Sequence, residues 1–404
     1  MTTVADAART GVVMRLDHSE DYVAAKQLVP LPLISADVAA LTATSIDLAR
    51  QSDLVLPEME VLIERAVVAL LGGHLVLGGP PGTGKTTLAK ILGAAFGCDL
   101  TIETATTDWS SFDVIGGLQP HIVKVGASTT EVLRPWLGHV TRAAVACADT
   151  IARHQDDPTA NPSQARWLII DELNRADIDK AIGPLYTALG GSHSSIPLWF
   201  EDEPERREVY LPGRFRIIGT LNSVDTAYVF SFSQGLTRRF QFVYVGVPTL
   251  EQLDEELRLA ATQAAKWHAF TYESAADQAA IDAAVAAFLA DARVVHVTGL
   301  LTALVATLRY GGGDVRGWPL GTAQIVDVFR QVALRRAGAA AAQDGLVEGL
   351  DRAVADRVVP QLTAIAEDQL EAARERLGQP DLRALVRTLR ALDQITEPQF
   401  TTSA

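Results

Sequence analysis

A glycine-rich segment that contains one lysine is the clearest candidate for chemistry in this chain. Residues 79–86 have the sequence GPPGTGKT and fit the pattern G-x-x-x-x-G-K-[ST] at every position. Such a turn lets backbone N–H groups close around phosphate oxygens at a helix N-terminus, with Lys85 reaching the β- and γ-phosphates and Thr86 ligating Mg²⁺. The segment therefore predicts a nucleotide-phosphate site made of Gly79, Pro80, Pro81, Gly82, Thr83, Gly84, Lys85, Thr86 and Thr87.

Two adjacent carboxylates form a second candidate site. Asp171 and Glu172 directly follow the apolar run Trp167 to Ile170, which has the length of a buried strand. At that position Asp171 would join the magnesium ligands, and Glu172 could polarise an attacking water. An acidic residue next to the magnesium carboxylate favours a hydrolysing machine over a simple phosphate kinase, in which the acceptor substrate supplies the nucleophile.

Asn222, Arg238 and Arg239 are weaker candidates, each with two interpretations. Asn222 ends the apolar segment that begins at Phe215, so its amide could hold the attacking water, or it could simply form a turn. The arginines stand between apolar residues in the sequence Thr237-Arg238-Arg239-Phe240. They could be surface charges, or arginine fingers that reach a nucleotide bound by a neighbouring subunit.

The elements around these residues predict an α/β domain followed by helices. Apolar residues recur at helical spacing from Met59 to Leu71, a short buried strand covers 74–77, and a helix is expected over 85–96. Strands that alternate with helices up to about Pro248 indicate a parallel sheet. Beyond Thr249 the composition is helix-forming, and the stripe Val347, Leu350, Val354, Val358 and Leu362 predicts a packed bundle helix.

Composition and charge limit the possible classes of protein. The chain has 404 residues, 48% hydrophobic and 21% charged, with a net charge of −14, which argues against a broad basic face for nucleic acid. Two cysteines make no disulfide scaffold, and the histidines show no metal-ligand spacing. The N-terminal residues have no apolar core for a secretory signal, and the longest apolar run, Val294 to Leu308, is short for a bilayer span. We expect a cytoplasmic protein without a membrane segment.

The order of the motifs resembles that of the AAA+ ATPases. GPPGTGKT, IIDELNRAD, IIGTLNSVD and TRRF follow one another as in the dynein-related branch, which includes MoxR-type ATPases and the motor subunit of McrBC-type restriction systems. Residues 108–117, DWSSFDVIGG, and the sequence Asn174-Arg175-Ala176 add to the resemblance, and the latter is especially similar to the restriction motors. The resemblance covers about residues 55–335.

This resemblance implies an architecture, an assembly and cofactors. The implied fold is a P-loop parallel-sheet core with an all-α lid and a C-terminal helical extension. We place the boundaries at 1–52 for an N-terminal extension, 53–248 for the core, 249–335 for the lid and 336–404 for the extension. The implied assembly is a homo-oligomeric ring, typically a hexamer, that uses Mg²⁺ with ATP or GTP.

Individual residues take roles by the same resemblance. Asn222 matches the sensor-1 position and Arg239 the arginine finger, with Arg238 as competitor or helper. The match is incomplete, because Asp225-Thr226 replaces the Asp-Arg pair of restriction motors and the finger segment lacks the usual acidic residue. The segment Trp318 to Gly321 also lacks a sensor-2 arginine, for which only Arg316 lies nearby.

Three functions are compatible with these features. The leading one is a Mg²⁺-dependent, ring-forming ATPase that remodels a partner protein or complex, as MoxR-type proteins do. The alternatives are the nucleotide-driven motor of a restriction or defence system that acts on DNA through a partner nuclease, and a nucleotide-dependent assembly switch. The implied partner is a von Willebrand A-domain protein or a nuclease, and no nucleic-acid module is evident in the chain itself.

Overall fold

The computed structural model describes residues 27–125, 128–190, 194–198, 208–222, 233–273, 277–311, 317–338, 343–362 and 366–396. These residues group into two compact units. The first takes its described residues from Met1–Ala49, Glu58–Gly79 and Lys85–Tyr244. The second takes them from Arg50–Pro57, Pro80–Gly84 and Val245–Ala404. Within the described ranges, every strand belongs to the first unit.

The strands of the first unit are, in chain order, β1 (His74–Gly79), β2 (Cys98–Thr104), β3 (Gly116–Val125), β4 (Ser128–Leu137), β5 (Ala165–Asp171), β6 (Ser195–Pro197), β7 (Glu208–Tyr210), β8 (Ile217–Asn222) and β9 (Phe240–Tyr244). Five of them form a parallel sheet in the order β2-β5-β8-β1-β9. The other four form two antiparallel pairs, β3 with β4 and β6 with β7.

Helices connect the parallel strands, as crossovers between such strands require. In chain order they are α1 (Val38–Gln51), whose last two residues group with the second unit, α2 (Met59–Gly72), α3 (Lys85–Ala95), α4 (Ser111–Ile115), α5 (His139–Asp156), α6 (Ile178–Ile182) and α7 (Gln234–Thr237). All six residues of β1 are buried, and only the last residue of β8 is not. Strands covered on both faces explain the near-continuous apolar runs in the sequence.

The sheet determines where the candidate residues meet. β8 lies between β5 and β1, and the register pairs Gly79 at the end of β1 with Asn222 at the end of β8. Asp171 ends β5 on the other side of β8. Because parallel strands end at the same edge of a sheet, this edge collects the glycine-rich turn, the two carboxylates and the asparagine.

The second unit is helical and has one continuous hydrophobic core. Its helices are α8 (Leu253–Tyr272), α9 (Gln278–Leu289), α10 (Ala292–Tyr310), α11 (Thr322–Gly338), α12 (Gln343–Arg357), α13 (Glu367–Leu377) and α14 (Val386–Thr396). The core runs from Leu253 to Leu392, and the predicted stripe packs in it through residues that include Leu350, Val354 and Leu362. The stripe is not one helix, however, because α12 ends at Arg357, before Leu362. The separation of lid from extension at residue 335 stays a prediction.

A fully buried ion pair holds the second unit together near the start of α11. Arg309, at the end of α10, pairs with Glu256 on α8, and both side chains have 0% exposure. Arg309 Nε also donates to the Leu320 carbonyl at 2.9 Å, and the Thr322 hydroxyl donates to Glu256 Oε1 at 2.5 Å. These hydrogen bonds satisfy charges that burial would otherwise penalise heavily, and they place the first turn of α11.

One helix of the described residues, Ala292–Tyr310, is long and apolar enough to cross a membrane by length and composition. It extends beyond the apolar run 294–308 seen in the sequence and has 19 residues, with 39% of its most apolar window buried. Its buried residues, among them Val297, Leu301 and Val305, belong to the core of the helical unit.

Candidate active site

Glycines at special backbone positions shape the turn after β1. Gly79, Gly82 and Gly84 have φ angles of 149°, 78° and 83°, which side chains larger than hydrogen rarely tolerate. Lys85 begins α3 and folds back over the turn, where its Nζ donates to the Gly79 carbonyl at 3.0 Å. The lysine is buried, at 4% exposure. The ammonium group of Lys85 is therefore held against the end of β1, within the segment for which the sequence predicts phosphate binding.

The environment of Lys85 lowers its basicity. Burial lowers the pKa of the ammonium from 10.5 to about 8, and the carboxylates of Asp171 and Glu172 offset part of that effect. Desolvation of a charged amine is the dominant cause, and a bound anion would compensate for it. The lysine is therefore prepared for a ligand with high negative charge.

The candidate magnesium ligands touch each other. The Thr86 hydroxyl donates to Asp171 Oδ1 at 2.8 Å, across from α3 to the end of β5. Hydroxyl and carboxylate oxygens are the donors that Mg²⁺ takes, usually with one or two protein groups and the rest of its shell from water and substrate phosphates. In the part of the chain that the structure describes, no group of three or more His, Cys, Asp and Glu side chains could hold a metal. The pair therefore fits magnesium brought in with a phosphate ligand.

Thr220 is a site residue that sequence analysis missed. Its hydroxyl donates to Asp171 Oδ1 and accepts from the Glu172 backbone N–H at 3.1 Å. The signal was its position two residues before Asn222, because side chains two apart on a strand share a face. Thr220 thus fixes Asp171 and the backbone of Glu172 together.

Glu172 has both carboxylate oxygens occupied by donors. Its backbone is left-handed, with φ 54° and ψ 43°, which turns the chain sharply out of β5. Oε1 accepts from Asn222 Nδ2 at 3.1 Å, and Oε2 pairs with Arg175 Nε. The contact with Asn222 joins two candidates that lie 50 positions apart. The contact with Arg175 was not foreseen as a site interaction.

Asn222 is held by its neighbour Asn174. The Asn222 N–H donates to Asn174 Oδ1, and Asn174 Nδ2 donates to the Asn222 carbonyl, both at 3.2 Å. This reciprocal pair leaves the Asn222 amide directed at Glu172. Asn222 therefore lies beside Glu172, and its predicted role in holding the attacking water stays a prediction.

The two arginines differ in their surroundings. Arg239 is half-buried, and its Nε donates to the Tyr186 carbonyl at 2.8 Å while the guanidinium lies 5.7 Å from the centre of the Tyr186 ring. Arg238 is exposed. The contacts of Arg239 within its own chain are a finding that sequence analysis did not anticipate. The finger role of either arginine stays a prediction.

The tip of the glycine-rich turn groups with the helical unit and contacts the start of α11. The Ala323 N–H donates to the Gly82 carbonyl at 3.0 Å, and the buried Gln324 Nε2 donates to Gln361 Oε1 at 2.7 Å and, at 3.4 Å, to Pro81 O. The segment Trp318 to Gly321, for which the resemblance implies a sensor-2 group, directly precedes α11. Arg316, Asp225 and Thr226 fall outside the described residues.

The chain is similar to known proteins in both sequence and fold. A model described as "AAA domain (dynein-related subfamily)" matches residues 74–240. The search of curated proteins found no match. Among solved structures, one mutant of Thermotoga maritima RuvB aligns at 15% identity and TM-score 0.40, over 84% of this chain and 88% of that chain. A second mutant aligns at 14% and 0.39, over 85% and 90%. Residues 74–240, which contain the parallel sheet and its hydrogen-bonded carboxylate edge, are thus similar to the AAA domains of the dynein-related subfamily.

Proposed function

We propose that this protein is a Mg²⁺-dependent nucleoside triphosphatase, with ATP as its substrate, that works as a cytoplasmic ring and remodels a partner protein or complex in the manner of MoxR-type ATPases. The observation that carries the hydrolytic part is the network Thr86–Asp171–Thr220–Glu172–Asn222 at the edge of the sheet. It places magnesium-type donors next to a carboxylate whose partner is an amide. A protein that only bound nucleotide would need Thr86 and Asp171 for the metal, but it would not need Glu172 and Asn222.

Each residue has a task that follows from its chemistry. Lys85 neutralises phosphate charge from inside the turn, and Thr86 with Asp171 would hold Mg²⁺, which when bound draws charge from the phosphates. Glu172 accepts the proton of the attacking water on a carboxylate oxygen, and the Asn222 amide orients that carboxylate. Thr220 holds the Asp171 carboxylate and the Glu172 backbone in fixed positions relative to each other.

The proposed ring rests on the two adjacent arginines, Arg238 and Arg239. Arg238 is exposed next to Arg239, in a segment that in AAA+ proteins faces the adjacent subunit. A finger supplied by a neighbour would make hydrolysis depend on assembly. Coupling to a partner would follow from movement of the helical unit during the cycle. We propose a von Willebrand A-domain protein or a nuclease as that partner.

The test compares two single variants with wild type. Lys85→Ala should weaken nucleotide binding, because the phosphates lose their point-charge partner. Glu172→Gln should retain binding and lose turnover. Binding is measured by equilibrium titration with Mg-ATP and Mg-GTP, and turnover by phosphate release. Wild-type turnover in Glu172→Gln would contradict the assignment of the water-polarising carboxylate, and tighter binding and faster turnover with Mg-GTP would contradict ATP as the substrate.

A further inference from the structure

The carboxylate of Glu172 has a second partner, Arg175, which has no role in the proposed hydrolysis. Arg175 lies three residues later, and its N–H donates to the Glu172 carbonyl at 2.9 Å, which closes a short turn. The same residue sends its guanidinium Nε to Glu172 Oε2. Backbone and side chain of one residue thus both hold the candidate base.

The left-handed backbone of Glu172 makes this contact possible. With φ 54° and ψ 43° the chain turns back on itself after β5 and brings Arg175 beside the Glu172 side chain. This conformation is unfavourable for a residue with a side chain and persists only where its surroundings determine it. Here the Glu172 N–H is fixed by Thr220 Oγ1. Such strain is common at functional sites.

The ion pair between Arg175 and Glu172 hinders the proposed action of Glu172 as a base. A carboxylate that takes a proton from water must have an oxygen that the water can reach. Glu172 gives one oxygen to the Asn222 amide and the other to the Arg175 guanidinium, so a water that approaches Oε2 meets the guanidinium there. The pair therefore orients Glu172 but obstructs the approach of water to Oε2.

The exposure of the two side chains indicates that the contact can open. Arg175 is 60% exposed and Glu172 26% exposed, so water and salt screen the ion pair. The pair between Arg309 and Glu256, by contrast, has 0% exposure for both side chains and is shielded from water. An exposed arginine beside the base can swing away while the rest of the network stays in place.

We propose that Arg175 is a positioning residue that restrains Glu172 and slows basal turnover until it is displaced. This inference rests on the proposed function, because it assumes that Glu172 polarises the attacking water. Hydrolysis proceeds when Arg175 releases Oε2, which then accepts the proton of water as the water oxygen bonds to the γ-phosphorus and the bond from that phosphorus to the leaving diphosphate breaks. Asn222 stays on Oε1 throughout.

The experiment measures steady-state hydrolysis of Mg-ATP by Arg175→Ala, Arg175→Lys and wild type as full chains. We expect Arg175→Ala to raise kcat about 3- to 10-fold with KM within about twofold of wild type, since the restraint acts on the base and not on the phosphates. Arg175→Lys keeps the charge and should return kcat towards the wild-type value. Arg352→Ala is the matched control, because Arg352 forms an exposed ion pair with Glu348 in the helical unit.

A double variant separates this inference from the proposed function. In the Glu172→Gln background, Arg175→Ala should no longer raise kcat, because the carboxylate that it releases is gone. If Glu172→Gln is inactive while Arg175→Ala has unchanged or reduced kcat, the restraint is wrong and the proposed function stands. If Arg175→Ala accelerates hydrolysis equally with Gln at position 172, the effect does not pass through Glu172 and the restraint is also wrong. If Glu172→Gln hydrolyses as wild type does, the proposed role of Glu172 itself fails.

Discussion

Nucleotide binding should take up a proton, because the lysine of the glycine-rich turn is buried before it meets a phosphate. Burial lowers the pKa of Lys85 to about 8, against the opposing effect of Asp171 and Glu172. Bound phosphate supplies negative charge next to the ammonium, so binding should raise this pKa again. At pH 7 about nine-tenths of the lysine carries its proton already, whereas at pH 9 only about one-tenth does.

The expected uptake is about half a proton per site at pH 8 and about 0.9 at pH 9. The affinity for Mg-ATP should be nearly constant below pH 7 and should weaken about fivefold between pH 8 and pH 9, because binding must then protonate the lysine. Isothermal titration calorimetry in two buffers with different ionisation enthalpies counts the protons. At these pH values the phosphates of Mg-ATP are fully ionised and contribute no uptake of their own.

Two variants control this measurement. Lys85→Arg keeps a permanent positive charge, so its proton uptake should be close to zero, even if the longer side chain weakens binding. Lys90→Ala removes an exposed lysine from the same helix and should retain the wild-type uptake. An uptake near zero for wild type from pH 8 to pH 9, with an affinity that does not change, would refute the argument from burial.

The same lowered pKa affects folding with a defined sign. Since the lysine binds its proton more weakly in the fold than in the unfolded chain, the unfolded chain holds more protons between pH 8 and pH 10.5. The contribution of Lys85 to the free energy of unfolding therefore rises with pH across that window, by at most about 3 kcal/mol. Below pH 8 the charged lysine costs the fold this amount, and bound phosphate relieves the cost.

Three further predictions concern assembly, metal binding and stability. If either arginine acts across a subunit interface, specific activity should rise with protein concentration, and mixing Lys85→Ala with Arg239→Ala should restore part of the activity. If Arg239→Ala alone is as active as wild type, Arg238→Ala replaces it in the mixture. Mixed rings that recover no activity would contradict a finger role for either arginine. Thr220→Val should raise the Mg²⁺ concentration for half-maximal hydrolysis about 10- to 100-fold, whereas Thr220→Ser should stay near wild type, because it retains the hydroxyl that holds Asp171; a normal Mg²⁺ requirement for the valine variant would argue against that role. Arg309→Met should lower the free energy of unfolding by about 3–5 kcal/mol in chemical denaturation, because it leaves a buried carboxylate unpaired, and a change below about 1 kcal/mol would be inconsistent with the buried pair.

The sequence was most informative where the chemistry is local. The glycine-rich turn could be predicted because its backbone angles depend on glycine at neighbouring positions, and the observed φ values of Gly82 and Gly84 agree with that requirement. Three strands, β1, β5 and β8, could be predicted because their burial leaves continuous apolar runs. The sequence analysis missed β2 and β9, whose residues are only partly buried. The helix expected over 85–96 and the strand ending in Asp171 are observed within about one residue. Short-range patterns thus predicted that the chain has a parallel sheet followed by a helical unit.

Only the tertiary structure decided which side chains act together. The order β5-β8-β1 brings Thr220 and Asn222 to the carboxylates, and this order depends on strand pairing between segments about 50 positions apart. The local sequence does not show which strands pair, because a buried apolar strand can pair with any other buried apolar strand. In the same way, the left-handed turn at Glu172 set its contact with Arg175, and packing against Tyr186 distinguished Arg239 from Arg238. Residue type and spacing therefore determined what chemistry is available, and the long-range register of the sheet decided how its groups are paired.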